Sequence, residues 1–270
     1  MPTFGPPPRK RRFRLGDPLS IVFIVVIVLA LVAAGLIGAE FYARHVANQE
    51  ITDATLCETK DSADTVSVSF SNTPPVLWQY LTDQYPKITV TTGTHIRNAQ
   101  GMTVHVEVDD INMKGDATKK GTIGSINATM KWTTQGILQT VKDSINAYLP
   151  DALKSLGLDS LVQSVTTNPS AGTVTVQGGF GFSLTVQPKV DNGGLRLVIP
   201  DNGIQTLIGS IPKDSVQSAL DDKTKAITDN SLNIKVVEPV EISSDAVTLH
   251  FSTTNAAIPL QTTDPCFANL

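Results

Sequence analysis

Apolar residues run without a single charge from Leu19 to Ala39, directly after Arg9, Lys10, Arg11, Arg12 and Arg14. A helix of about 20 such residues is long enough to cross a bilayer. Basic residues stay on the cytoplasmic side, so the pattern predicts an N-terminus inside and the rest of the chain across the membrane. The competing reading is a cleavable signal peptide, which carries a shorter apolar core of about 7–15 residues. Ala33, Ala34 and Ala39 keep that reading open. In either case the main domain is extracytoplasmic.

Beyond residue 58 the pattern is mostly alternation. Val66, Val68 and Phe70 alternate with polar neighbours, and Met102, Val104, Val106 and Val108 share one face opposite Thr103, His105, Glu107 and Asp109. Ile111 and Met113 then fall on the other phase, which predicts a bulge near Asp109-Asp110. Further faces comprise Ile126, Ala128, Met130 and Trp132, then Val174 and Val176, Phe180 to Val186, Leu195 to Ile199, Leu232 to Val236, and Val247 to Phe251. Gly178-Gly179, Asn192-Gly193-Gly194 and Ser243-Ser244-Asp245 separate these runs and read as hairpin turns. The main element is therefore an antiparallel meander with one apolar and one polar face.

Three amphipathic helices interrupt it. Ile137, Leu138, Val141, Ile145, Tyr148 and Leu149 form one stripe, with Thr134 as N-cap and Pro150 as stop. A shorter helix carries Val76, Leu77, Tyr80 and Leu81 after Pro74-Pro75, and a third runs from Pro212 to about Thr228. Strands in a meander with a few helices predict an α+β domain.

Composition adds compartment and charge. The formal net charge is −4, and the exported part is more acidic than the whole because the basic tail lies outside it. That argues against a nucleic-acid partner, whose phosphates need a surplus of Lys and Arg. The only two cysteines, Cys57 and Cys266, bracket the exported region. Export places them where disulfides persist, so a bridge closing the whole domain is expected.

Catalytic chemistry finds little support. His45, His95, His105 and His250 are far apart, with no partner at a recognised ligand spacing. No metal site and no cofactor are expected. His105 and Glu107 share a strand face and read as ordinary surface. Ser210-Ile211-Pro212-Lys213 fits Ser-x-x-Lys, but the Ser-Asp-Asn and Lys-Thr-Gly partners are missing. A hydrolase using Ser210 or His105 is the weakest reading.

The apolar inventory says more. A bent meander facing amphipathic helices beside a membrane can leave a groove, and burying acyl chains gains about 0.8 kcal/mol per methylene. Side-chain phase nominates Leu77, Leu81, Ile137, Val141, Ile145, Phe180, Phe182 and Leu184 as groove walls, with Ile137–Leu149 as the helix inside the curve.

Several stretches then resemble the LmeA-like family of actinobacterial cell-envelope proteins: DTVSVSF (64–70), PPVLWQYL (74–81), YPKITVTTGTHIRNAQGMTVHVEV (85–108), GTIGSINATMKWTTQGILQTV (121–141), VTTNPSAGTVTVQG (165–178), Thr254 to Pro259 and Asp264 to Phe267. The resemblance implies phospholipid binding connected with lipomannan elongation. It also implies a tubular lipid-binding fold, in which a curved antiparallel sheet wraps a long helix. No catalytic set comes with it. Lys119-Lys120 departs from the pattern, adding charge to a turn that faces headgroups or solvent.

The expected organisation is a cytoplasmic tail (1–18), a membrane helix (19–39), a stalk (40–57) and an extracytoplasmic lipid-binding domain (58–270). The expected partners are the membrane, a phospholipid or lipid-linked glycan, and an envelope glycosyltransferase. A non-enzymatic scaffold docking an envelope enzyme without lipid is the alternative.

Overall fold

The alternating segments become strand register in the computed structural model, which describes residues 18–59, 66–96, 99–148, 162–179, 181–206, 212–228, 233–260 and 266. In chain order the elements are α1 (Pro18–Thr59), β1 (Ser67–Phe70), α2 (Val76–Thr82), β2 (Gln84–Thr91), β3 (His95–Ile96), β4 (Ala99–Gln100), β5 (Met102–Asn112), β6 (Lys119–Thr133) and α3 (Thr134–Tyr148). They continue with β7 (Val162–Asn168), β8 (Thr173–Gly178), β9 (Ser183–Asp191), β10 (Gly194–Val198), β11 (Ile204–Gln205), α4 (Lys213–Thr228), β12 (Lys235–Ile242) and β13 (Ala246–Pro259). The fold is α+β, with curved antiparallel sheets that do not close.

The larger sheet has six strands in the order β1-β2-β5-β6-β13-β12. Residues directly opposite one another share a face. One row therefore runs Val68–Val90–Val106–Ala128–Phe251–Val236, apolar on all six strands. The next row along the strands is polar throughout: Ser69–Thr89–Glu107–Asn127–Ser252–Lys235. Such strict alternation sorts the two faces into one apolar and one solvated side.

No bulge forms at Asp109-Asp110. The register is unbroken on both sides, from Asp109–Ser125 to Ile111–Ile123. Asp110 instead adopts a left-handed conformation (φ 53°), as does Asn255 two strands away (φ 53°). Between them lies Gly124, where a Cβ would stand 2.7 Å from that of Asp110. Pro86 continues the line on β2. The phase change is thus a crease across four strands, made by turning residues over, with no extra residue inserted. The Phe70 and Tyr85 rings meet across it, centroids 6.2 Å apart.

The smaller sheet has the order β10-β9-β8-β7, with β11 beside β9. Val165, Val174, Val186 and Ile199 form its buried core. Ile137 and Leu138 of α3, Val216 and Leu220 of α4, and Ile242 and Val247 from the end of the large sheet close over it. α4 is fastened by Gln217, whose side chain accepts from the Ile199 N–H (2.9 Å) and donates to the Leu197 carbonyl (2.8 Å). Arg196 donates to Asp221 beside it and holds that carboxyl below its usual range.

Gln217→Leu leaves the Ile199 N–H and the Leu197 carbonyl without these partners. A loss of about 1–3 kcal/mol is expected, read as a lower urea midpoint.

Cys57 and Cys266 are bonded, bridging a sequence separation of 209 residues, as their positions at the two ends of the strand-rich region predict. α3 starts one residue earlier than its expected cap: Thr133 Oγ1, not Thr134, accepts the Gly136 N–H at 3.1 Å.

Candidate functional site

The site is built from the apolar rows of the six-stranded sheet. Besides the row through Ala128, they are Phe70–Ile88–Val108–Ile126–Thr253, Val104–Met130–Leu249 and Met102–Trp132–Val247–Ile242. β-Branched residues dominate because they suit a pleated surface. Ile126 and Leu249 are buried, while Val104, Val106, Val108, Ala128, Met130 and Phe251 remain partly exposed. None of these belongs to the buried core cluster.

Among the described residues, helices meet this sheet chiefly at its margins: α1 on β1, α2 on β2, and α3 on the end of β6. Among the described residues, none of these helices packs across the middle of the face, within which Ile126 and Leu249 are nevertheless buried. At about 3.3 Å per residue, the apolar positions from Ile123 to Trp132 cover about 30 Å. One leaflet is half of a ~30 Å hydrocarbon core, so the surface exceeds the length of a single acyl chain.

The opposite face carries the polar side chains. Thr91, His105, Thr129 and His250 form one row, with Thr91 Oγ1 2.8 Å from His105 Nδ1 and Thr129 Oγ1 3.2 Å from His250 Nδ1. Glu107 stands 3.8 Å from His105 and receives a hydrogen bond from Lys87 at 3.2 Å. Glu107 and then Asp109 hold the Lys87 ammonium above its ordinary value. This is a solvated ion ladder. On the apolar side, burial pushes the Tyr85 phenol up, reinforced by Asp83, Tyr80 and Glu50. Among the described residues, no group of three or more His, Cys, Asp or Glu could hold a metal ion.

The nominated wall residues fall in three places. Leu77 and Leu81 are on α2, where Leu81 is exposed. Ile137 and Val141 are on α3, which packs on β7, β4 and the end of β6, and Ile137 closes the smaller sheet's core. Leu184 lines that same core, and Phe182 is half-buried just before β9. Phe180, Ser210 and the side chain of Ile145 lie outside the described residues. The residues that make the open face, Val104, Val106, Ala128, Met130 and Phe251, were missing from that set. Their alternation was visible, but alternation alone does not tell a covered face from an uncovered one.

At the sheet's near end, where α1 packs on β1 and α2, one side chain ties α2 to α1. Glu40 accepts the backbone N–H groups of Val76 and Leu77, both at 2.8 Å, and is itself bonded by Arg44 at 2.8 Å. A carboxylate on the first N–H groups of a helix satisfies orphan donors and opposes the helix dipole. Gln79 buries the other side of α2, donating to the Ser71 and Pro74 carbonyls.

Glu40→Ala removes both acceptors, one of them from the fully buried Val76. A cost of about 1–3 kcal/mol is expected. Hydrogen exchange of the Val76 and Leu77 amides should accelerate by about tenfold or more.

A family model described as LmeA-like phospholipid-binding matches residues 35–256. Uncharacterized proteins from Mycobacterium bovis and from two strains of Mycobacterium tuberculosis are each 38% identical over 263 residues, covering 97% of this chain and 71% of the relative. No solved structure matches the chain.

Proposed function

Because the chain belongs to the LmeA-like phospholipid-binding family, we propose that it is a membrane-anchored, extracytoplasmic protein that shelters the acyl chains of a phospholipid or lipid-linked glycan on the open face of its large sheet. The observation that carries this reading is the apolar row from Val68 to Val236, whose central members stay partly exposed. Fatty chains gain about 0.8 kcal/mol per methylene on leaving water, so a dozen methylenes outweigh the cost of ordering the lipid. No step of bond making is assigned to the protein. Its role in this reading is to hold lipid for a cell-envelope enzyme, a glycosyltransferase that builds lipomannan-type glycolipid.

The anchor is α1. Residues 25–38 are exposed all around, as an apolar helix surrounded by lipid would be. The alternative, cleavage after Ala39, would leave the Glu40 and Cys57 contacts intact. The retained anchor rests on the apolar run from Leu19 to Ala39, longer than the core of about 7–15 residues of a signal peptide. The disulfide suits an oxidising compartment outside the cytoplasm.

Native mass spectrometry of residues 40–270, which keep the Glu40 and Cys57 contacts, tests the reading. Lipid-sized adducts after detergent-free purification are expected. A single apo mass from folded, disulfide-bonded protein would favour the scaffold that docks an envelope enzyme without lipid.

A further inference from the structure

Five large side chains stand exposed on the two helices that meet at Glu40. Phe41 and Tyr42 follow Glu40 directly on α1 and are 70% and 72% exposed. Trp78, Tyr80 and Leu81 on α2 are 59%, 67% and 68% exposed. α2 cannot slide along α1, because its first two N–H groups are bound to the Glu40 carboxylate. Its buried side is Val76 and Gln79, which turns Trp78 and Leu81, three residues apart, outward together.

The depth of Glu40 follows from the length of the apolar run. Residues 19–39 rise by about 1.5 Å each, about 31 Å in all, which matches a ~30 Å hydrocarbon core. Glu40 therefore emerges where hydrocarbon gives way to headgroups. A carboxylate paired with Arg44 is tolerated there and costly any deeper. Trp and Tyr concentrate at that boundary because their rings are apolar and their edges polar.

The arrangement around the axis selects the occupant. Each residue turns a helix by about 100°, so Phe41 and Tyr42 leave α1 on sides that Glu40 and α2 do not cover. Aromatic groups thus stand on several sides of the axis close to Glu40. A bilayer boundary meets every side of a helix at one depth, whereas a protein partner would have to enclose it.

We propose that Trp78, Tyr80 and Leu81 of α2, with Phe41 and Tyr42 of α1, dock the exported domain into the headgroup region of the leaflet from which α1 emerges. This rests on the reading of α1 as a retained anchor. Docking brings the start of β2 and the Phe70–Tyr85 contact to the lipid surface, so the open sheet face begins beside the leaflet that supplies its cargo.

The chain has two tryptophans, which report on two different questions. Trp78 is on α2, while Trp132 lies on the apolar sheet face and donates to the Gln100 carbonyl. Full-length protein is reconstituted into vesicles of phosphatidylcholine and phosphatidylglycerol carrying bromines on the acyl chain next to the headgroup. Emission is compared between wild type and W78F, the difference being that of Trp78. We expect Trp78 to lose the larger part of its emission to the brominated lipid and little to aqueous iodide, with the chain resisting alkaline carbonate extraction. Trp78 quenched by iodide and untouched by bromine, in protein that carbonate leaves in place, overturns the docking while keeping the anchor. Extraction by carbonate overturns both. Quenching of Trp132 in W78F reads cargo on the sheet and does not bear on the docking.

Discussion

Ala128→Trp is expected to leave the domain folded and strip it of lipid. Ala128 sits at the middle of the six-strand apolar row, flanked by Val106 and Phe251 on the neighbouring strands. An indole there occupies the space of about four methylenes, worth ~3 kcal/mol of burial, or about 200-fold in lipid affinity. Tryptophan suits a strand, so the ladder itself has no reason to break. Asn127→Trp is the matching control, since Asn127 is exposed in the polar row one position away. Lipid retained per protein should fall in the first variant and stay at the wild-type level in the second. A face already filled by the chain's own side chains gives the opposite pattern: overpacking lowers the melting temperature of Ala128→Trp by the equivalent of about 1–3 kcal/mol, and lipid is irrelevant to it. Equal lipid in both variants and wild type would remove the site.

Replacing Cys57 and Cys266 together by serine is expected to have the largest effect on stability. The bridge spans 209 residues. Closing a loop of that length in the unfolded chain is worth up to ~5 kcal/mol. Domain stabilities are only about 5–15 kcal/mol, so the double variant approaches the limit of folding. Urea unfolding of wild type and the Cys57→Ser, Cys266→Ser variant measures this as a large drop in midpoint. Reductant should reproduce it in wild type and leave the variant unchanged. An unaltered midpoint would mean that α1 and the C-terminal segment are held by other contacts.

The most legible strands in the sequence are those with three or more apolar residues in strict alternation, although β8 was also read, from Val174 and Val176 alone. β5, β6 and β13 met that condition, and their faces came out as read. β2 did not: it offers only Ile88 and Val90 beyond Pro86, and proline ordinarily argues against a central strand. It is tolerated here because Pro86 lies on the crease. β7 hid for a different reason. Its register shifts between Val162 and Ser164, so Val162 and Val165 stand three apart, a spacing that breaks the strand period and suits a helix instead.

The crease itself was visible on β5 as a change of phase. A change of phase has two physical solutions, an added residue or an inverted one. The choice depended on Gly124 and Asn255 on neighbouring strands, which no single strand reveals. α2 shows the same limit. Its apolar count suggested Leu77 and Leu81 as the inward side, whereas the glutamine Gln79 is buried because its amide ties the preceding loop. The candidate walls were chosen by hydrophobicity, and hydrophobicity alone marks the filled core around Ile137 and Leu184 as readily as the open face.

α1 is a single uninterrupted helix from Pro18 to Thr59. A glycine–serine tether would have let the domain swing through a wide volume. A rigid rod gives it a fixed stance and a short reach. On the proposed reading, lipid held by such a post changes hands where it stands.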